Sequence, residues 1–534
     1  MIIAWLAGIA RLVILHLGFP VLATAPTCRR WDIVQWGNIQ LHESESTNHF
    51  LAMGTTGSGK TTLFRLLEQS VFRNIGTGDY RAVVYDAKGE ALPRILSQVD
   101  PQSVFIMNLF DERGAAWDIA KDLDEPIKIR EFCFTLMPVR TDSQPFWAEA
   151  ARDLMNGVIL SFFLSDIPYT FGDVLRTLRH FGLMRRVLQL HPETSHLVAV
   201  YLKDKRLRRN LMATIGSRVQ IYEAVAASWE VAQQKVSMKD FVRSDWVLLL
   251  GNAKVSPQVI QAINCAMFKT LANEALNLPD SSSRRTWIFL DELTEAGKLD
   301  GLISLAKEGR SKGVCLVLGF QTISGMRDEK LYGTHGTDDL LGEVGIRFIG
   351  RLECATSAEY ASLHLGDHLV WETSYGTSYT YAKENSHSQS SNQSKQQRRR
   401  ILPSEFLKLP KCNDRNGLHG FCNIPSIGLF RMKISGSRLF HRMLVPNDSS
   451  IPRSLPHPAH TQLLDYSIED LAHRLGIRLT STSSVAGDIT RGRDMPCHGL
   501  PFDPLADPTA CTDRIEIESG MDDGDVEFDA NPLS

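Results

Sequence analysis

Phe50-Leu51-Ala52-Met53-Gly54-Thr55-Thr56-Gly57-Ser58-Gly59-Lys60-Thr61-Thr62 decides how the rest of the chain is read. Four apolar residues predict a strand, and apolar positions from Thr61 to Phe72 recur at helical spacing. Between them, Gly54 to Thr61 fits GxxxxGK[ST] in full, in the strand–loop–helix setting that gives this pattern its meaning. Glycines allow backbone amides to turn inward around phosphate oxygens, and a helix N-terminus adds positive potential. Gly54, Thr55, Thr56, Gly57, Ser58, Gly59 and Thr62 are therefore expected to line the phosphates of a bound ATP. Lys60 is expected to hold the β- and γ-phosphates, and the Thr61 hydroxyl to complete the shell of a Mg2+ ion.

Such a loop needs a carboxylate at the end of a neighbouring strand. Trp287-Ile288-Phe289-Leu290-Asp291-Glu292 supplies two, with Asp291 predicted on the metal side and Glu292 beside the attacking water as general base. Arg310, in Glu308-Gly309-Arg310-Ser311-Lys312-Gly313, falls on a corner between a helix and a strand. It reads as an arginine finger for a neighbour's γ-phosphate or as a solvated loop arginine. Gln321 follows the strand Val314–Gly319 and reads as a γ-phosphate sensor or as a turn-capping amide.

Outward from these motifs, further strands are expected at Ala82–Asp86, Val104–Met107, Trp246–Leu250 and Ile346–Ile349. Helical periodicity without strand signals fills most of the stretch from Pro126 to Arg243. The expected fold is α/β: one P-loop domain from 31–125 and 244–445, split by an all-α insertion over 126–243. A terminal strand pair is expected near Gly428–Ile434 and Leu439–Leu444, and Ser386–Gln397, all polar, is expected to be a mobile loop. Residues 446–534, rich in Pro, Ser and Asp, are expected to be disordered. Segment 1–30 is apolar from Ile2 to Ala25, interrupted by Arg11 and followed by Arg29-Arg30. It fits a membrane span with the body in the cytoplasm, a buried or interfacial helix, or a start assigned too far upstream.

Composition narrows the class. With 43% hydrophobic and 22% charged residues the chain is globular, which excludes collagen-like and wholly disordered proteins. Net charge is −3, yet the segment from Leu505 holds nine acids against one Arg, so the body is mildly basic. A basic body fits a polyanion partner. Lys203-Asp204-Lys205-Arg206-Leu207-Arg208-Arg209 could neutralise DNA phosphates or be a solvated helix face, and Arg398-Arg399-Arg400 offers the same choice. Nine cysteines without CxxC pairs imply free thiols in a reducing compartment and no structural metal.

Several segments carry a family resemblance: His49-Phe50 ahead of the phosphate loop, Tyr85-Asp86-Ala87-Lys88-Gly89-Glu90, Phe146-Trp147-Ala148-Glu149, Leu290-Asp291-Glu292, Gly309-Arg310, Gly319-Phe320-Gln321 and Arg400-Ile401-Leu402-Pro403-Ser404-Glu405. In order and spacing the chain resembles the type IV secretion coupling proteins, the TraD/TraG/TrwB-like conjugation ATPases, from about Gly37 to Arg431. The resemblance implies that the α/β domain is a RecA-like P-loop motor domain with an inserted all-α domain. It implies a homo-hexameric ring that pumps single-stranded DNA, with relaxase and type IV secretion channel proteins as partners. It also implies attachment at the cytoplasmic face of the inner membrane, although that family carries two N-terminal membrane helices and this sequence has room for one. An FtsK- or HerA-like double-strand translocase and a nucleotide-gated recruitment module that pumps nothing are the alternatives.

Overall fold

A computed structural model describes residues 33–108, 111–138, 145–251, 257–380, 386–445, 448, 450–455 and 462–477. The apolar segment 2–25 and the acidic stretch from Leu505 lie outside the described residues. No helix among the described residues is long and apolar enough to cross a membrane.

Short apolar runs build the sheet. Strands β1 (Ile33–Trp36) and β2 (Ile39–His42) form a hairpin, followed by β3 (Phe50–Met53), β4 (Tyr80–Asp86) and β5 (Val104–Met107). Two-residue strands β6 (Ala116–Trp117) and β7 (Lys235–Val236) pair with each other at either end of the helical insertion. Then come β8 (Val247–Gly251), β9 (Arg285–Leu290), β10 (Val314–Phe320) and β11 (Ile346–Ile349). A ribbon of β12 (Asp367–Thr380) and β13 (Ser386–Arg399) precedes β14 (Leu418–Ile424) and β15 (Gly428–Ile434).

Nine of these form one sheet in the order β15-β14-β11-β3-β10-β9-β4-β8-β5. All neighbours from β11 to β5 are parallel, and β14 and β15 close one edge antiparallel. A parallel sheet must be covered on both faces, which is why its strands read as continuous apolar runs. Alternate residues sort to two cores. Phe50, Ala52, Trp287 and Phe289 pack with Leu63, Phe64, Leu67 and Val71 of the Lys60–Phe72 helix. Leu51, Met53, Ile288 and Leu290 face the core shared with the insertion.

The insertion is helical, with longer helices at Pro126–Leu136, Pro145–Leu164 and Lys205–Gln220. Its entry and exit are tied by Asp122, which is fully buried and accepts hydrogen bonds from Trp117 Nε1 (2.6 Å), Met238 N (2.7 Å) and Lys239 N (3.0 Å). Burial pushes this carboxyl up to about 6 despite those donors.

Three local expectations are corrected. Ser386–Gln397 is not a loop: it lies within β13 and pairs residue for residue with β12. Its polar composition misleads because the ladder uses backbone groups and the described side chains of this ribbon are largely in water. Leu439–Met443 is a π-helical turn rather than a strand, and the partner of β15 is β14, joined through Gly428 at φ 92°. Nor is all of 446–534 disordered: Ile468–Arg474 is a helix capped by Ser467, with Leu471 and Leu475 buried. Arg474 Nε reaches Asp173 at 2.9 Å, and the buried Arg176 donates to Leu464 O at 2.7 Å while binding Glu230. Those partners lie some 300 residues upstream, out of reach of a composition average.

Candidate nucleotide site

The phosphate loop leaves the carboxyl end of β3, where open α/β sheets bind ligands. Gly57 (φ 78°) and Gly59 (φ 96°) occupy the left-handed region, and a Cβ at Gly59 would strike Leu418. The loop is held from three sides. Gly54 N donates to Phe320 O (3.3 Å), Thr55 N to Arg351 O (2.8 Å), and Cys412 N to Gly57 O (2.7 Å). Thr62, in the first turn of the helix, is hydrogen-bonded to the Cys412 side chain.

Lys60 is 7% exposed and donates to Gly54 O at 2.6 Å. Burial lowers its pKa, opposed by Glu292 and Asp291, so its charge is held in a pocket that welcomes more negative charge. Thr61 Oγ1 donates to Asp291 Oδ2 at 2.5 Å across 230 residues of sequence. Among the described residues, the other oxygen, Asp291 Oδ1, is buried without a hydrogen-bond partner, as is Ser58 Oγ. A hydroxyl and a carboxylate with a spare buried oxygen are ligands suited to a hard divalent cation beside phosphates.

Glu292 is also buried, and both of its oxygens are engaged. Thr294 Oγ1 donates to Oε1 (3.0 Å) and Gln321 Nε2 to Oε2 (2.9 Å). Gln321 in turn accepts from Thr56 Oγ1 at 3.3 Å. Gln321 thus links the phosphate loop to the acid, which a turn-capping amide would not do. A cleft beside this group is lined by Thr61, Asp86, Lys88, Arg94 and Asp291, with Arg94 bound to Glu68 at 2.7 Å.

Arg310 is not in this cluster. It precedes β10, whereas Gln321 follows it, so the strand's length of about 20 Å, at ~3.3 Å per residue, separates them. It is exposed beside Ser44, Thr47 and Ser311 at the amino edge of the sheet. Of the basic stretch in the insertion, Lys203, Lys205, Arg206 and Arg209 are exposed, but Arg208 is half-buried with its guanidinium 4.4 Å from the Phe181 ring centre. Arg398 and Arg399 are bound to Glu372 and Asp367 within the ribbon, so their charge is already met.

Sequence reasoning missed Arg351, Cys412 and Thr294. The first two act through backbone groups, which no side-chain type announces. Thr294 was readable, since a hydroxyl two residues after an acid can return to it.

A family model described as the type IV secretion-system coupling protein DNA-binding domain matches residues 33–430. The Coupling protein TraD of Escherichia coli (strain K12) is 23% identical over 344 residues, which are 62% of this chain and 46% of that protein. The chain therefore matches about half the length of this curated relative. Among solved structures, the unbound bacterial conjugative coupling protein TrwBdeltaN70 is similar with a TM-score of 0.59 and 18% identity, covering 81% of this chain and 93% of that one. TrwB bound to the non-hydrolysable ATP analogue ADPNP gives 0.59, and TrwB bound to ADP and Mg2+ gives 0.58, each at 18% identity over 81% of this chain and 94% of that one. At that identity the likeness shows a shared fold, the RecA-like α/β domain with its helical insertion.

Proposed function

The chain belongs to the type IV secretion-system coupling proteins, and from that membership we propose that it is an ATP-hydrolysing motor that delivers single-stranded DNA, with its relaxase, to a type IV secretion channel. One observation carries the enzymatic part: Thr61 and Asp291, 230 residues apart, meet at 2.5 Å on the edge that also holds Lys60 and Glu292. TrwB, of the same fold, has been solved with an ATP analogue and with ADP and Mg2+.

The residues divide the work as follows. Backbone amides of Gly54 to Gly59 wrap the phosphate chain, and Lys60 exchanges its bond to Gly54 O for the β- and γ-phosphate oxygens. Thr61 Oγ1 and Asp291 would hold Mg2+, which would supply neutralisation of the phosphate charge. Glu292 takes the proton from the attacking water, and Gln321 keeps its carboxylate aimed while touching the loop at Thr56. Arg310 completes the site of a neighbouring subunit in a homo-hexameric ring, because the sheet keeps it from its own. The exposed Lys203, Lys205, Arg206 and Arg209 contact DNA phosphates. The Arg29-Arg30 pair after the apolar segment favours a body on the cytoplasmic face of the inner membrane.

ATP turnover by the full chain, with single- or double-stranded DNA and across a salt series, tests this reading. Stimulation by single strands that fades with salt is expected. Stimulation only by duplex would make it a double-strand translocase, and hydrolysis indifferent to DNA would make it a recruiter.

A further inference from the structure

His49 stands immediately before β3, five residues ahead of Gly54, in a backbone conformation (φ 57°) that L side chains rarely adopt. It is 1% exposed. Both ring nitrogens are engaged, each with a different element. Leu316 N, in β10, donates to Nδ1 at 3.1 Å, and this bond makes Nδ1 an acceptor. Nε2 therefore carries the proton and donates to Ala306 O at 3.1 Å. Burial holds the imidazole pKa down at about 4, so the ring stays neutral and this one-donor, one-acceptor pattern persists.

Ala306 lies in the last turn of the Leu302–Glu308 helix. Its carbonyl is the one that the amide of Arg310 would take if the helix continued. Instead the chain turns away: Gly309 N makes the last helical bond, to Leu305 O at 3.0 Å, and Lys312 N and Gly313 N then close on Gly309 O at 3.0 Å and Arg310 O at 3.2 Å. His49 caps the carbonyl released where the corner begins. The corner has little freedom of its own, because a Cβ on Gly313 would strike Arg284 O. On either side, Lys307 is paired with Asp339 (2.8 Å) and Lys312 with Asp280 (2.7 Å). Arg310 between them is exposed and, among the described residues, in no ion pair. A strained, buried histidine thus braces a corner whose one free cation points outward.

We propose that His49 is a positioning residue for Arg310, joining the strand that carries this subunit's phosphate loop to the corner it presents to the next subunit. This rests on Arg310 acting in trans, and the test separates the two. His49→Ala should bind ATP with an unchanged KM and lose at least tenfold in kcat, whereas His49→Gln, which keeps a donor at the reach of Nε2, should retain most activity. In mixtures with a Lys60→Ala chain, His49→Ala should regain turnover as Arg310→Ala does. There, an intact phosphate loop meets an intact corner on the partner. A purely structural defect next to β3 would raise KM and give no such complementation. If His49→Ala does not fold, His49→Asn, which tolerates the same φ but is too short to hold Ala306, should behave as the alanine chain is expected to. Rescue of Arg310→Ala without rescue of His49→Ala overturns the positioning role. Failure of both, in mixed rings shown to form, overturns the trans reading of Arg310 and the positioning role with it.

Discussion

The two edges of the central sheet are built on opposite plans. At the carboxyl edge, Lys60, Thr61, Glu292 and Gln321 are bound to partners within the chain, and the spare buried oxygen of Asp291 points to what the site takes up. At the amino edge, Lys307 and Lys312 are paired while Arg310 is exposed and, among the described residues, in no ion pair. On the function proposed above, the first edge takes up the nucleotide and the second meets the next subunit. Hydrolysis would then occur only where one subunit's carboxyl edge meets another's amino edge, which would link each chemical event to the ring's assembly.

The comparison breaks first at the carboxyl edge. Lys60→Ala and Glu292→Gln should each lower ATP turnover by about 10²-fold or more, from the loss of phosphate charge balance or of the general base. Glu292→Gln should still bind nucleotide, because the loop amides, Lys60 and Thr61 stay in place and Glu292 is hydrogen-bonded to Thr294 and Gln321 rather than to them. Phosphate release and titration with a fluorescent nucleotide distinguish the two. Wild-type turnover in either variant would remove the assignment.

At the amino edge, Arg310→Ala should match that loss, since an arginine finger contributes about 10³-fold or more, but only in the ring. Nucleotide affinity and melting temperature should not change, because the side chain is exposed and, among the described residues, in no ion pair. A loss of nucleotide affinity instead would mean that Arg310 serves its own subunit.

Acid should act on this same edge through His49. Its folded pKa, about 4, lies below the unfolded value, so the unfolded chain binds the extra proton first. Stability is therefore intact above pH 6.5 and falls as pH drops towards 4, by roughly 3 kcal/mol for this group. Urea midpoints of wild type and His49→Gln at pH 8 and pH 5 check it: the wild-type advantage should shrink at the lower pH. An advantage of equal size at both values would show that the buried ring is not neutral.

The smallest effect belongs to the insertion. Lys205→Glu with Arg206→Glu should flatten the salt dependence of single-stranded DNA binding by about one to two units, at ~0.7 per phosphate. Stability should stay within about 0.5 kcal/mol, because both side chains are exposed. Arg208 differs from them: stacked on Phe181, its loss should cost packing as well as charge. An unchanged slope in the double variant would move the DNA path elsewhere.

Much of this was legible in the linear chain. The strands of the sheet announce themselves as apolar runs because both faces are buried, and the phosphate loop is legible because only glycine accepts φ 78° and 96° where the pattern places it. The acids at 291 and 292 are legible as the end of such a run. The ribbon was misread because its strands are paired by backbone groups that leave no mark on composition, and the helix near Leu471 because the partners of its segment, Asp173 for Arg474 and Arg176 for Leu464 O, belong to the insertion.

Sequence by itself therefore determined the apolar parallel strands, the phosphate loop and the helical character of the insertion, since those follow from periodicity and backbone sterics within a few residues. Only the tertiary structure decided who meets whom. It set β10 between β3 and β9, so that Gln321 could bridge Thr56 and Glu292 while the same strand carried Arg310 to the far edge. It also turned His49 from a residue preceding a motif into the link between Ala306 and Leu316. Strand order comes from pairing between segments hundreds of residues apart, and that choice depends on the packing of the whole core rather than on any local pattern.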